Sequence, residues 1–153
     1  MNKKIIATNR KARFNYEILE TYEAGIVLTG GEVKSVRAGQ IDFKDSYVTI
    51  GNGNIEKGEV FLYNINITPY KYSAGGFEKE YNSQRPRKLL LHKNEITKLK
   101  NKIVQQRLAV IPLEVYLKNG LVKIEIAVAK GKKTFDKRES IKKREAQREI
   151  ERS

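Results

Sequence analysis

Alternation of apolar and polar side chains is clearest where VIPLEVYLK, Asn119-Gly120 and LVKIEIAVAK follow one another, two period-two runs around a dipeptide suited to a type I′ turn. Val122, Ile124, Ile126 and Val128 fall on one side of the second run, and Lys123 and Glu125 on the other. The pattern predicts an antiparallel hairpin with one covered face. Upstream, Tyr16, Ile18 and Tyr22 lead into the β-branched run Ile26 to Leu28, which predicts one long, bent strand. Phe43 to Ile50 is β-rich, and the segment Gly51 to Gly58, with three glycines and two asparagines, reads as a loose connection. Glu59 to Ile67 is its expected partner strand, with Val60 and Leu62 on one side and Phe61, Tyr63, Ile65 and Ile67 on the other, both faces covered. Leu89 to Leu91 adds a short strand.

Two helices interrupt the strands. After Asn94 as a cap, Ile96, Leu99, Ile103 and Val104 make one apolar stripe on a helix to about Arg107, with Lys98, Lys100 and Lys102 opposite. In EAGIVLTGGEVKSVRAG, residues Glu23 to Gly39, Thr29 and Glu32 have capping-box spacing and Gly39 suits a left-handed cap. The helix between them, Glu32 to Ala38, presents Lys34 and Arg37 at i, i+3 spacing, a surface that serves either packing or phosphate contact. A length of 153 residues suits one domain. Six strand candidates with short inserted helices fit a mainly β fold, a closed antiparallel OB-like barrel, because closure removes vulnerable edges. A split α+β sandwich is the rival.

Charge changes the picture most at the ends. The chain carries 31 Lys+Arg against 18 Asp+Glu, a formal +13, which favours a polyanionic partner. Residues 1 to 15 hold Lys3, Lys4, Arg10, Lys11 and Arg13 with little apolar support, and read as a basic arm, either solvated or ordered by a partner. The barrel is expected over 16 to 130. From Gly131 to Ser153 the composition becomes basic and nearly devoid of apolar positions, which predicts a tail disordered alone and helical when a polyanion neutralises it. Thr68 to Pro86 is a long aperiodic loop in which Tyr70, Tyr72, Phe77 and Tyr81 alternate with Lys71, Lys79 and Arg85. No run approaches the ~18 apolar residues of a membrane span, so a soluble cytoplasmic protein without membrane contact is expected.

Candidate chemistry is sparse. His92 is the only imidazole and there is no cysteine, so nucleophilic catalysis lacks its usual pairings. Glu23, Glu32, Asp42 and Asp45 cluster in sequence without a metal-ligand spacing. No catalytic site, metal or cofactor is expected. Basic residues interleaved with aromatics on a barrel suit backbone contacts plus stacking on unpaired bases, which favours RNA over duplex DNA.

Five motifs occur in order: NRKAR at Asn9 to Arg13, YEAGIVLTGGEVKSVRAG at Tyr22 to Gly39, DSYV at Asp45 to Val48, RKLLLHKNEI at Arg87 to Ile96, and AKGKKTFDKRESIKKRE at Ala129 to Glu145. Together they resemble the small protein B family, the SsrA-binding proteins, over nearly the whole chain. The resemblance implies an OB-like barrel and a monomeric, non-enzymatic partner of transfer-messenger RNA. Such a protein binds the tRNA-like domain and delivers the RNA to ribosomes stalled without a stop codon. It further implies RNA contacts at Glu23, Leu90 and Lys123, with Asn9 and Arg13 of the first motif and the basic pair Lys34 and Arg37 as further candidates. By residue pattern alone Leu90 is a core leucine, whereas Lys123 is on an outward face. The tail from Gly131, with Lys132, Lys133, Phe135, Asp136, Lys137, Arg138, Lys142, Lys143 and Arg144, matches the family segment that enters the empty messenger channel and decoding centre. One departure is Phe14, where many relatives carry a histidine; a phenyl ring still stacks but makes no hydrogen bond.

Overall fold

The structure is a computed structural model in which residues 3–50, 59–69, 81–106 and 108–131 are described. In chain order they form β1 (Lys3–Thr8), α1 (Arg10–Asn15), β2 (Tyr16–Ile26), α2 (Gly30–Arg37), β3 (Ile41–Asp42) and β4 (Tyr47–Ile50). Then follow β5 (Val60–Tyr63), β6 (Asn66–Ile67), β7 (Arg87–Leu90), α3 (Lys93–Gln106), β8 (Ala109–Lys118) and β9 (Leu121–Gly131).

The predicted hairpin forms within the sheet, between β1 and β2. Asn119 (φ 53°) and Gly120 (φ 79°) both take the left-handed backbone that a type I′ turn needs, which sets the register from Lys118↔Leu121 to Glu114↔Glu125; an irregularity between Pro112 and Glu114 then shifts it by one residue to Ala109↔Ala129. β2 pairs along the free edge of β9 from Tyr16↔Gly131 to Gly25↔Lys123, and its last residues pair with β7 at Gly25↔Leu90. With β5 on β7, β4 on β5 and β1 on β8, one antiparallel sheet runs β1-β8-β9-β2-β7-β5-β4, and β3 and β6 form a separate two-stranded ribbon. The fold is mainly β, as the pattern predicts, with more strands than the six expected. The seven-stranded ladder keeps two ends, β1 and β4, while its curl brings β4 against β8.

Apolar burial explains this arrangement. Ile124, Ile126 and Val128, with Val122 partly buried beside them, pack on Ala24, Val36, Leu62, Leu89 and Leu99, so the predicted inward face of β9 is the core face and α3 closes it through Leu99. The opposite face of the same strand is covered at its C-terminal end, where Ala127 and Ala129 meet Ala12 of α1 with Ile111 and Leu113. Burial of such side chains contributes about 25 cal/mol per Å² of apolar surface.

Three expectations need correction. Residues 3–15 are not a free arm: β1 is an edge strand paired to β8, and α1 buries Ala12. A lysine-rich strand is well suited to an edge, since its charges discourage further pairing. Ile65 and Ile67 do not share a side with Phe61 and Tyr63. Asn64 takes a left-handed backbone (φ 64°), the alternation inverts there, and both isoleucines enter the core with Val60 and Leu62. Leu90 is 54% exposed while Leu89 is buried, because strand alternation sorts the two leucines to opposite faces.

Candidate nucleic-acid interface

Alternation along β2 puts Glu23 and Gly25 on the outward face of the sheet. Register then brings Lys123 of β9 and Leu90 of β7 to either side of Gly25. The missing side chain matters here: a Cβ at Gly25 would lie 3.4 Å from Leu90 Cβ and 3.8 Å from Lys123 Nζ. Thus Glu23, Leu90 and Lys123, drawn from three strands, share one surface on which a cation, an acidic acceptor and an exposed aliphatic side chain adjoin. Such a surface can hold a phosphate, accept from a base amino group and pack on a base or ribose face.

Glu23 is not free to swing. Tyr116 Oη donates to its Oε2 at 2.6 Å, and Lys118 Nζ lies 3.3 and 3.4 Å from the two carboxylate oxygens. The Tyr116 hydrogen bond, aided by Lys118 and Lys123, holds the Glu23 carboxyl below the usual carboxylate range, so it is ionised at neutral pH. Burial and the same bond push the Tyr116 phenol up. The Tyr116 ring is buried under Lys3, whose ammonium lies 4.3 Å from the ring centroid and pairs with Glu114 at 3.2 Å.

The other candidates lie elsewhere. α2 begins with the predicted capping box, Glu32 N donating to Thr29 Oγ1 at 3.2 Å and Thr29 N to Glu32 Oε1 at 3.0 Å, and ends at left-handed Gly39. Lys34 is exposed, whereas Arg37 Nη2 donates to Gly120 O at 3.1 Å and ties the helix to the hairpin turn. Asn9 precedes α1 and donates from Nδ2 to Pro112 O at 2.8 Å; Arg13 is exposed in the last turn of that helix. An open groove of about 520 Å³ lies between α1 and residues 41–46, so the first and third motifs, 36 positions apart, share one wall through Asn9, Lys11, Asp45 and Ser46. Gly131 ends β9 opposite Tyr16. Lys132, Lys133, Phe135, Asp136, Lys137, Arg138, Lys142, Lys143 and Arg144 lie outside the described residues, as does the loop over 70–80.

The carboxylate cluster disperses. Glu32, in the first turn of α2, is fully buried, and Arg85 Nε (3.1 Å) and Nη2, Arg87 Nε (3.1 Å) and Nη2 (2.5 Å) donate to it. Arg87, also fully buried, donates from Nη1 to Ile65 O at 2.8 Å and Ser83 O at 2.9 Å. Tyr81 Oη joins the group, 3.0 Å from Glu32 Oε2. Burial alone raises the Glu32 carboxyl, but donors from Arg85, the Thr29 amide and Arg87 outweigh it and lower it to about 2. Asp42 accepts from Lys44 N at 3.0 Å in a local turn, and Asp45 itself is left-handed (φ 58°). Among the described residues no group of acidic or imidazole side chains could hold a metal.

Sequence reasoning passed over Tyr116, Lys118, Gly25 and the Glu32–Arg87 pair. The first two were countable: from the Asn119-Gly120 turn, pairing sets Tyr116 opposite Lys123. That β2 lies beside β9 has no local sequence signal.

Fold and surface together define a mainly β binding module with an open, charged sheet face. The chain belongs to the SmpB protein family, whose family model matches residues 6–153. It is 53% identical over 150 residues to an SsrA-binding protein of Persephonella marina, covering 98% of this chain and 93% of that protein. It is 54% identical over 150 residues to an SsrA-binding protein of Nostoc punctiforme, covering 98% and 92%. A solved structure described as "tmRNA-SmpB: a journey to the center of the bacterial ribosome" holds a chain 42% identical, with a TM-score of 0.66, covering 88% of this chain and 93% of that one.

Proposed function

We propose that this chain is a non-enzymatic RNA-binding adaptor that binds the tRNA-like domain of transfer-messenger RNA and delivers it to stalled ribosomes for trans-translation. Family membership over residues 6–153, with relatives near half identity, carries the reading. The sheet face supplies the matching chemistry: Lys123 and Lys118 for phosphate, Glu23 for base amino groups, Leu90 for an apolar contact. Lys34, Arg37, Asn9 and Arg13 serve as flanking contacts, and the segment from Lys132 enters the empty messenger channel. The curled sheet is read as an OB-like barrel, in keeping with the approach of β4 to β8. The adaptor works as a monomer in the cytoplasm, where stalled ribosomes are; among the described residues no helix is long and apolar enough to cross a membrane.

Truncation after Gly131 tests the division of labour. Since β9 stays whole, binding to the tRNA-like domain should persist while peptide tagging on stalled ribosomes is lost. Retained tagging would refute the part given to the tail. A general RNA binder is the second reading, favoured by net charge alone, and it should not discriminate the tRNA-like domain from bulk tRNA at physiological salt.

A further inference from the structure

Glu23 reaches away from its own strand. Its sheet neighbour β9 presents Glu125 directly opposite and Lys123 two residues back, yet the carboxylate crosses β9 toward β8, where the Tyr116 hydroxyl meets it at 2.6 Å. A glutamate on an exposed strand otherwise samples several rotamers, each with its acceptors aimed elsewhere. Tyr116 is suited to end that sampling. Its ring is 2% exposed, it has only two side-chain torsions, and the Lys3 ammonium covers it at 4.3 Å. Oε2 takes the short phenol bond and the nearer Lys118 contact, whereas Oε1 accepts, among the described residues, from Lys118 alone at 3.4 Å.

We infer that Tyr116 is a positioning residue for RNA recognition: its buried phenol clamps Glu23 so that the remaining acceptor capacity of the carboxylate faces an incoming nucleobase N–H donor. The inference rests on the proposed part of Glu23 in RNA binding. Lys118 plays a lesser part on the same carboxylate. Preorganisation of this kind acts on affinity without adding a contact to the RNA.

The test uses the full chain and a transcript of the tRNA-like domain of transfer-messenger RNA. Tyr116→Phe keeps the ring and its packing and removes only the donor. Affinity should fall about three- to tenfold, the scale of ordering one side chain at an interface, with an unchanged salt slope because no phosphate contact is lost. Glu23→Ala, which removes the acceptor of the phenol bond, should weaken binding as well, and the double variant should bind no worse than Glu23→Ala alone. Additive losses, or wild-type affinity for Tyr116→Phe, overturn the positioning role while leaving Glu23 as a contact. Wild-type affinity for Glu23→Ala overturns both.

A titration of the Glu23 carboxyl by NMR in the unmutated free protein gives a check that needs no variant. The groups facing it are Tyr116 and Lys118 from β8 and Lys123 and Glu125 from β9. The clamp requires titration below the ordinary carboxylate range, returning toward it in Tyr116→Phe. An ordinary titration in the unmutated protein refutes it.

Discussion

Replacing Glu32 by glutamine removes the negative charge that, among the described residues, faces two guanidinium groups, of which Arg87 is fully buried and Arg85 one-third exposed. The amide still accepts a hydrogen bond, so packing and much of the capping box remain. What is lost is compensation of a buried cation, a change that costs about 3–5 kcal/mol when one partner of a buried pair is deleted. Titration leads to the same magnitude independently. The Glu32 carboxyl is lowered from 4.5 to about 2, and at 1.36 kcal/mol per pKa unit this corresponds to about 3 kcal/mol of stability at neutral pH. Because the folded value is depressed, that stability is fully present above 4.5 and is lost as pH falls toward 2. Urea unfolding at neutral pH should therefore show Glu32→Gln destabilised by about 3 kcal/mol, with an unchanged dependence on urea. The gap between variant and unmutated protein should narrow on acidification through that window. A loss below about 1 kcal/mol, the scale of a surface ion pair, or a gap independent of pH, would refute the view that this buried cluster pins α2 to residues 81–87.

Other perturbations follow from the same geometry. Lys123→Ala should weaken binding to the tRNA-like domain and reduce the slope of log affinity against log salt by about 1, as for one phosphate contact; an unchanged slope assigns Lys123 a different role. Gly25→Val would push on Leu90 and Lys123, since even a Cβ there meets Leu90 at 3.4 Å, and filter-binding titration should show RNA affinity falling well beyond any loss in melting temperature. At Gly120, where φ is 79° and nothing crowds a Cβ, alanine should cost about 1 kcal/mol in thermal unfolding through backbone strain alone, with RNA binding retained.

Much of the local architecture is legible without tertiary information. The Asn119-Gly120 hairpin, the Thr29–Glu32 capping box and the left-handed Gly39 all follow from interactions within a few residues of one another, and each occurs where the pattern predicts. The β1 strand is not legible because its apolar run, Ile5 to Ala7, is short, shows no alternation and is flanked by Lys3 and Lys4: its strand state comes from the free edge of β8, which lies about 110 positions further along. The inversion at Asn64 is equally hidden, because one left-handed residue exchanges the faces of everything after it.

For the surface, residue types and motif order identify the family and the side chains to examine, yet they leave Leu90 indistinguishable from a core leucine. Its exposure is decided by β7 lying between β2 and β5, with Leu89 turned to the core. Glu23 and Tyr116 are 93 positions apart and Glu32 and Arg87 are 55 apart, and no local rule couples them. The sequence by itself determined the alternation of the β8–β9 hairpin, the turn and caps at Asn119-Gly120, Thr29–Glu32 and Gly39, and the net charge that selects a polyanion. Only the tertiary structure decided which carboxylate is buried as scaffold and which is held at the surface, because that depends on which distant donors the sheet order brings within hydrogen-bond reach.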